Sequence, residues 1–252
     1  MKPSFFKNVA AVILAAGEST RFAGGKPAPF QKVMLKVGHK PIIAYIVELL
    51  EKLKIGQIII VIGHKGREIK KYFGKRADYA LQEKRLGTGH ATSCGLKKVK
   101  KNWRTVLVVN GDDSFRYQRQ TLSNFLEKHQ NSAATLTFLT AVKSNPMALG
   151  RVVRDINGEV LKIVEEKDAS QNEKEIREIN CGAYIFEKEW LRHNVSKLKP
   201  STVTGAYYIV DLVELATKQG KNVQAFKLKN SNEWFGINTP EELEKVNAAA
   251  KV

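Results

Sequence analysis

Three loops of this chain place small and charged residues directly after predicted strands. The first is LAAGESTRF (14–22), the second is LQEKRLGTGHA (81–91) and the third is NGDD (110–113). Ligands of open α/β sheets bind outside the carboxyl ends of the strands, so polar groups at these points can reach a common ligand. We therefore expect the three loops to form a single ligand site.

The first two loops have the composition of an anion site. Small residues let backbone N–H groups approach a ligand closely, and Arg21 adds a permanent positive charge suited to phosphate. The glycines of the second loop precede a helix that the pattern predicts to begin near Ala91, and helix N-termini attract anions. Thr92 stands where a dinucleotide-binding fingerprint needs glycine, and the sequence has no GxxxxGK[ST] motif. The pattern thus favours phosphate binding by another type of loop.

The third loop ends in two hard carboxylates, Asp112 and Asp113. Mg²⁺ takes one or two carboxylates together with substrate phosphates, so this strand end is a candidate magnesium site. A simple acidic turn is the alternative interpretation. His90, in the second loop, is interpreted as a polar residue at the start of a helix and is assigned no catalytic role.

Strand-like runs alternate with helical patterns in the first half, which is typical of a doubly wound α/β fold with a mostly parallel sheet. The patterns predict strands at 9–14, 57–63, 78–81, 104–113, 133–142 and 180–186, a hairpin at 150–167, and helices at 41–53, 66–74, 206–220 and 240–250. The hairpin turns at Asn157-Gly158, a pair suited to a tight β-turn. No repeat or linker divides the sequence, so we expect one domain spanning 1–252.

The composition excludes several classes of protein. The chain carries 42 Lys and Arg against 25 Asp and Glu, a formal charge of +17, which attracts anions. No basic tail or aromatic-interleaved stripe accompanies this charge, so nucleic acid is not the expected partner. No apolar run reaches the roughly 20 residues that span a bilayer, so no membrane association is expected. Cys94 and Cys181 match no metal or disulfide pattern, and we expect a cytoplasmic protein with two reduced thiols.

The opening segment allows two interpretations. Lys2 and Lys7 precede an apolar stretch that ends in small residues, as in a secretory signal peptide. Removal of this stretch would delete the first strand and the loop that follows it. We therefore interpret residues 9–14 as a strand of the folded domain.

Nine motifs occur in the order found in one enzyme family: LAAGESTR, QKVMLKVGHKPI, LQEKRLGTGHA, NGDD, GRVVRD, IVEEKDA, EINCGAYIF, GAYYIVDL and GIN. Together they cover essentially the whole chain, which resembles the sugar-nucleotide pyrophosphorylases. Within that family it resembles the uridylyltransferase domain of bacterial N-acetylglucosamine-1-phosphate uridylyltransferase. The resemblance implies a Rossmann-like α/β sandwich with a mixed, mostly parallel central sheet and a hairpin-rich sugar-binding subregion.

The resemblance also implies a reaction, substrates and roles for individual residues. A nucleoside triphosphate, with UTP as the first expectation, reacts with N-acetylglucosamine 1-phosphate or glucose 1-phosphate to give a nucleoside-diphosphate sugar and pyrophosphate, with Mg²⁺ as cofactor and no catalytic nucleophile. A thymidylyltransferase, or a transferase for another phosphorylated alcohol, stays open as the alternative. The implied catalytic residues are Arg21, Lys32 and Asp112; the nucleotide contacts are Ala15, Ala16, Gly17, Gln82, Gly87 and Thr88; the sugar contacts are Gly150, Glu165, Asn180 and Tyr208; and the Mg²⁺ ligands are Asp112 and Asn238.

Two departures from the family pattern fall around the sugar. Asn110 replaces the usual tyrosine before Gly-Asp, and Leu149 stands where tyrosine is usual. Loss of aromatic contact area weakens a preference for an N-acetyl group, so we expect glucose 1-phosphate to be used at least comparably to N-acetylglucosamine 1-phosphate. Gln31 and Ala206 also differ from the pattern. The sequence shows no hexapeptide repeats, so no left-handed β-helix acyltransferase domain is expected.

Two other classes of function stay open at this point. A metal-dependent glycosyltransferase of related fold would use Asp112 and Asp113 as its metal motif. An inactive sugar-nucleotide or nucleic-acid-binding relative would fit the basic charge. Pyrophosphate release separates the first class from the pyrophosphorylases, because a glycosyltransferase consumes a finished nucleotide sugar. The oligomeric state has no sequence signal.

Overall fold

A computed structural model of the chain describes residues 6–26, 28–146 and 148–249. The strands are β1 (Val9–Ala15), β2 (Lys36–Val37), β3 (Lys40–Pro41), β4 (Gln57–Ile62), β5 (Asp78–Leu81), β6 (Thr105–Asn110), β7 (Leu136–Val142), β8 (Arg151–Arg154), β9 (Val160–Val164), β10 (Glu178–Glu187) and β11 (Val223–Lys227). The helices are α1 (Ile42–Lys52), α2 (Arg67–Phe73), α3 (Thr88–Leu96), α4 (Arg119–Asn131), α5 (Gln171–Lys174), α6 (Lys188–Asn194), α7 (Asp211–Lys218) and α8 (Pro240–Ala249). Within these ranges, no helix is long and apolar enough to cross a membrane.

The central sheet is mixed and mostly parallel, as predicted. Its main path runs β11-β7-β10-β6-β1-β4-β5, and the β8–β9 hairpin joins it through β10. β1 pairs in parallel with both β4 and β6. β10 lies antiparallel between β6 and β7. The direction of the strands therefore changes next to β6, and the third loop leaves the sheet at this point.

Helices cover both faces of the sheet, because its central strands are apolar on both sides. On β1, Val9, Ala11 and Ile13 belong to one buried cluster, together with apolar residues of α1, α2 and α4. Val12 belongs to the opposite cluster, with residues of α3, α6 and α7. The continuous apolar sequence of β1 thus reflects a strand buried on both faces, as parallel sheets require.

Two helices begin later or earlier than the patterns predict. α3 begins at Thr88 rather than near Ala91, because Gly87 at φ +100° provides the turn before it. α7 begins at Asp211, and residues 206–210 form a loop instead of the predicted first helical turns. α4 and β11 were not predicted, since α4 is mostly polar and β11 is only half-buried.

The predicted hairpin is confirmed. β8 and β9 pair antiparallel around the turn that contains Asn157-Gly158. The Arg154 guanidinium holds this hairpin against β10 through two hydrogen bonds to Glu178, of 2.8 and 2.9 Å. The hairpin thus forms a wall beside the carboxyl end of β6.

His129 on α4 makes the stability of this fold dependent on pH. Its side chain is 5% exposed, Nδ1 lies 2.8 Å from Thr137 Oγ1, and burial lowers its pKa from 6.5 to about 4. The folded state therefore favours the neutral form of His129. The stabilisation by neutral His129 is complete above pH 6.5, the pKa in the unfolded chain, and is lost as the pH falls towards 4. From pH 7 to pH 5 we expect this residue alone to lower the free energy of unfolding by roughly 2 kcal/mol.

Chemical denaturation of the His129→Gln variant at both pH values tests this expectation. The variant should lose that part of the pH dependence. The same substitution at exposed His193 is the matched control and should retain it. An unchanged pH profile in His129→Gln would show that His129 is not the titrating group.

Candidate active site

The three predicted loops meet around one cavity of about 480 Å³ at the carboxyl ends of β1 and β6. The first and third loops lie side by side because β1 and β6 are neighbouring parallel strands, with Leu14 opposite Asn110. The predicted residues that line this cavity are Ala15, Ala16, Gly17, Lys32, Gln82, Gly87, Thr88, Asp112 and Asn238. The structure therefore brings together the whole predicted nucleotide set and the predicted metal ligands.

The loop after β1 is folded so that its backbone borders the cavity. Ser19 adopts a left-handed conformation with φ 58°, and its Oγ accepts a hydrogen bond from the Lys32 backbone N–H at 3.1 Å. A Cβ placed on Gly17 would meet no atom within 4 Å, so this position faces open space. The loop thus leaves room for a ligand and fixes the start of the turn that carries Lys32. The side chain of Arg21 lies outside the described structure, and its predicted role stays a prediction.

The second loop depends on close contact with the segment that precedes α7. A Cβ on Gly87 would lie 2.5 Å from the Tyr207 carbonyl oxygen, so no other residue fits there without movement. Gly89 N–H donates to Tyr207 O, and Tyr207 N–H donates to Leu86 O, both at 2.8 Å. Thr88 Oγ1 accepts from the backbone N–H of Ile209 at 3.0 Å. These bonds explain why residues 206–210 do not continue α7 towards its N-terminus.

The amide of Gln82 is held in one orientation. Its Nε2 donates to the Gly87 carbonyl at 3.0 Å and lies 3.2 Å from Nδ1 of His90. A carbonyl can only accept, so the atom facing Gly87 is the amide nitrogen, and Oε1 is left as the acceptor of this cavity-lining residue. His90, which the sequence interpretation left without a role, therefore orients a cavity residue. The only sequence signal for this contact is the spacing of eight residues across the loop.

The predicted metal ligands converge on one cation. Lys32 Nζ lies 2.5 Å from Asp112 Oδ2 and donates to Asn238 Oδ1 at 2.9 Å. The Lys32 side chain is 11% exposed, so its charge is compensated inside the site rather than by solvent. One carboxylate and one amide oxygen aimed at the same point fit Mg²⁺, which takes few protein ligands and completes its shell with phosphate and water. The described residues contain no cluster of three or more His, Cys, Asp or Glu that could hold a metal.

Asn238 is positioned by its neighbours in sequence. The adjacent Ile237 is fully buried in a small apolar cluster with Phe115 and Val246, and its N–H donates to the Asp112 carbonyl at 3.3 Å. The backbone N–H of Asn238 donates to the Glu242 carboxylate at the start of α8. The segment before α8 is thus fixed directly against the end of β6.

A second cavity of about 140 Å³ adjoins the first and shares Asn110, Asp112 and Asn238 with it. Three predicted sugar contacts line the second cavity: Gly150, Glu165 and Asn180. Tyr208, the fourth, is not among the described residues that line either cavity, and its hydroxyl lies 2.7 Å from Thr204 Oγ1. A sugar contact by Tyr208 therefore stays a prediction.

The two adjacent acids of the third loop face different partners. Asp112 contacts Lys32, whereas Asp113 Oδ2 accepts from the Asn110 amide at 3.0 Å. Gly182 lies in the irregular part of β10. A Cβ there would lie 2.2 Å from Asn110 Nδ2, so glycine leaves the space that the contact between Asn110 and Asp113 needs. Burial and the neighbouring Asp112 carboxylate raise the pKa of Asp113 well above its usual range. The family resemblance assigned no role to Asp113, but the structure places this residue in the wall of the second cavity.

Two cations that the sequence interpretation did not single out, one buried and one half-buried, shape the same wall. Arg151 is 2% exposed, pairs with Glu166 at 2.6 Å and donates to the Leu149 carbonyl. Lys143 Nζ donates to the carbonyls of Ser231 and Trp234 at 2.8 and 3.3 Å. The sequence gives no sign that an arginine in an apolar run is buried, so the position of Arg151 was not predictable. The contacts of Lys143 are with residues about 90 positions further along the chain and were not predictable either. Both hold backbone segments in place rather than facing the cavity.

Comparison with known proteins agrees with this architecture. Two solved structures each match 96% of this chain. A putative glucose-1-phosphate thymidylyltransferase from Bacillus anthracis has a TM-score of 0.80 and 22% identity, and the match covers 95% of that chain. A UDP-glucose pyrophosphorylase complexed with UDP-glucose has a TM-score of 0.79 and 20% identity, and the match covers 98% of that chain. At these identities they establish the fold alone.

Sequence relatives are closer. The chain is 36% identical over 228 residues, 90% of its length, to the bifunctional protein GlmU of Bacillus licheniformis, and 38% identical over 92% of its length to GlmU of Caldicellulosiruptor saccharolyticus. It spans about half the length of these curated relatives, 49% and 50%. The family model described as nucleotidyl transferase matches residues 10–251. The chain therefore belongs to the nucleotidyl transferase family.

Proposed function

We propose that this chain transfers a nucleotidyl group from a nucleoside triphosphate, best UTP or dTTP, to a sugar 1-phosphate, giving a nucleoside-diphosphate sugar and pyrophosphate. The observation that carries this proposal is the arrangement of two adjoining cavities around one cation-binding corner, formed by Asp112 and Asn238. Family membership supports the transfer chemistry. The relatives and fold neighbours include proteins named for thymidylyl transfer to glucose 1-phosphate and for UDP-glucose.

The reaction needs positioning and charge neutralisation more than proton transfer. A phosphate oxygen of the sugar 1-phosphate attacks the α-phosphorus of the triphosphate, and the bond from that phosphorus to the oxygen bridging the β-phosphorus breaks. Both reactants are already anionic, so no strong general base is required. Lys32 lines the first cavity and contacts Asp112 and Asn238, which both cavities share. Arg21 belongs in sequence to the loop that follows β1. These cations neutralise the phosphates that must approach each other.

Asp112 and Asn238 are the residues that would hold Mg²⁺. The bound ion would neutralise phosphate charge and help to align the reacting groups. The ammonium of Lys32 contacts both oxygens of this pair. Either the Lys32 ammonium or Mg²⁺ can therefore compensate the oxygens of Asp112 and Asn238. When Mg²⁺ takes this position, the triphosphate provides Lys32 with another anionic partner.

Base selection follows from the orientation of Gln82. Its Oε1 is an acceptor, so it pairs with a base that presents an N–H group at the corresponding position. Uracil and thymine carry N3–H on that edge, whereas cytosine has an acceptor at N3. The geometry therefore supports UTP or dTTP over CTP.

The glycosyltransferase alternative requires both acids of the third loop on one metal. Asp112 faces Lys32, and Asp113 is tied to Asn110, so the two carboxylates do not converge. No observation in the described structure favours this alternative over nucleotidyl transfer.

Pyrophosphate release measured with UTP, dTTP, CTP, ATP and GTP tests the base preference. We expect kcat/KM for UTP or dTTP to exceed that for the other nucleotides by about tenfold or more, because each unpaired buried polar group costs roughly 1–3 kcal/mol. Gln82→Ala should reduce the ratio of UTP to CTP, and His90→Ala should reduce it partly. His193→Ala, an exposed residue, is the control. Equal turnover of purine nucleotides and UTP would contradict the assignment.

Substitutions at the corner test the metal ligands. Asp112→Asn removes the charge that compensates the cation, and we expect kcat to fall by roughly 100-fold or more. Asn238→Ala removes a neutral ligand and should raise the Mg²⁺ concentration needed for half-maximal rate. Asp113→Asn should leave this Mg²⁺ requirement unchanged, and exposed Asn172→Ala is the control for Asn238→Ala.

The measurement is kcat as a function of Mg²⁺, with folding checked by thermal melting. If Asp113→Asn were inactive while Asp112→Asn kept its rate, the metal would belong to the neighbouring residue. The glycosyltransferase interpretation would then gain support.

A further inference from the structure

An ion pair joins the first and second loops at the first cavity. Glu18 of the first loop and Arg85 of the second both line this cavity, and Oε1 of the carboxylate pairs with Nη1 of the guanidinium. The side chains are 36% and 27% exposed, so the pair is partly withdrawn from solvent. Neither residue takes part in the proposed transfer chemistry. The pair is thus a feature of the cavity that the metal corner does not account for.

The pair lies on the side of the cavity away from the metal corner. The sheet order here is β6-β1-β4-β5, and Asp112 follows β6. A Cβ placed on Gly63, directly after β4, would lie 3.5 Å from Nε and 3.7 Å from Nη2 of Arg85. The same Cβ would lie 3.2 Å from the carbonyl oxygen of Ala16, a predicted nucleotide contact. The guanidinium therefore lies over the end of β4, and the pair closes the gap between the loops that follow β1 and β5.

Both partners are attached to backbone that other contacts hold in place. On the second loop, the carbonyl of Leu86, next to Arg85, accepts from the Tyr207 N–H at 2.8 Å. On the first loop, the Glu18 carbonyl accepts from the N–H of the buried Ala28 at 3.0 Å. The two loops are therefore held at a set distance, and the pair spans that distance.

We propose that the Glu18–Arg85 pair forms the end wall of the base subsite and excludes purine nucleotides by size, an inference that rests on the proposed function. Gln82, the residue proposed to select the base, lies three positions before Arg85 and lines the same cavity. A purine carries its hydrogen-bonding edge further from the ribose than a pyrimidine does, because a second ring is fused to the first. A purine therefore has to separate the two charges or move the loops apart, whereas a pyrimidine does not. Gln82 then selects among pyrimidines, and the pair limits the length of the base.

Two ratios measured in each variant test the inference. Pyrophosphate release with Mg²⁺ gives kcat/KM for UTP, CTP and ATP, with glucose 1-phosphate or N-acetylglucosamine 1-phosphate, whichever the protein uses better. We expect Arg85→Ala to lower the ratio of UTP to ATP by about tenfold or more, because an open end wall leaves room for the second ring. The ratio of UTP to CTP should not change, because Gln82 keeps its contacts with Gly87 and His90.

Exchange of the charges tests the pair itself. Arg85→Glu places two carboxylates together and should lower the ratio of UTP to ATP as Arg85→Ala does. Glu18→Arg, added to that variant, re-forms an ion pair and should restore the ratio to within about threefold of the unmodified protein. Arg76→Ala is the matched control, since it breaks an ion pair with Glu51 and neither residue is among those that line the two cavities. Its two ratios should equal those of the unmodified protein.

Glu18→Ala is the second opening variant, for the case that Arg85→Ala does not fold. Each ratio is measured within one variant, so a partly unfolded fraction does not change it. A ratio of UTP to ATP that stays unchanged in the opening variants, or that falls together with the ratio of UTP to CTP, would overturn the inference while the proposed function stands. Equal use of UTP and ATP by the unmodified protein would also overturn it and would leave the transfer reaction in place. No pyrophosphate with any nucleotide and either sugar 1-phosphate would overturn both.

Discussion

The whole site depends on one ammonium group between two oxygens. Lys32 Nζ joins Asp112, at the end of β6, to Asn238, which is 206 residues further along the chain than Lys32. The Lys32 side chain is only 11% exposed, so removing either oxygen leaves a largely buried charge with less compensation. The contact therefore fixes the first loop, the end of the central strand and the segment before α8 relative to one another.

The sheet topology explains why two cavities meet at this contact. β6 has a parallel neighbour, β1, on one side and an antiparallel neighbour, β10, on the other. The β1 side supplies a loop of small residues and backbone N–H groups, whereas the β10 side supplies Asn180 and the irregularity at Gly182. A change of strand direction in an open sheet creates a crevice at the strand ends, where ligands bind. The proposed nucleotide and sugar subsites thus follow from the two different neighbours of one strand.

Much of this could be predicted from local patterns. The fully apolar runs of β1, β4 and β6 and the polar loops after β1 and β6 are visible in the sequence, and parallel pairing then brings those loops together. The predicted beginning of α7 was wrong because Tyr207 makes backbone hydrogen bonds with the second loop, which is distant in sequence. Asn238 was assigned by resemblance alone, since its place depends on the burial of Ile237. The contact of Asp113 with Asn110 was missed because it depends on the space that Gly182 leaves in the irregular part of β10.

The wall of the second cavity is held by charged groups that do not face the cavity. Arg151 is 2% exposed and pairs with Glu166 at 2.6 Å, and Lys143 donates to the carbonyls of Ser231 and Trp234. Each of these contacts fixes a backbone segment of the wall, so the wall keeps its shape whether or not a ligand is bound. A ligand that enters such a cavity pays little free energy for reorganising the protein, which is the physical content of preorganisation.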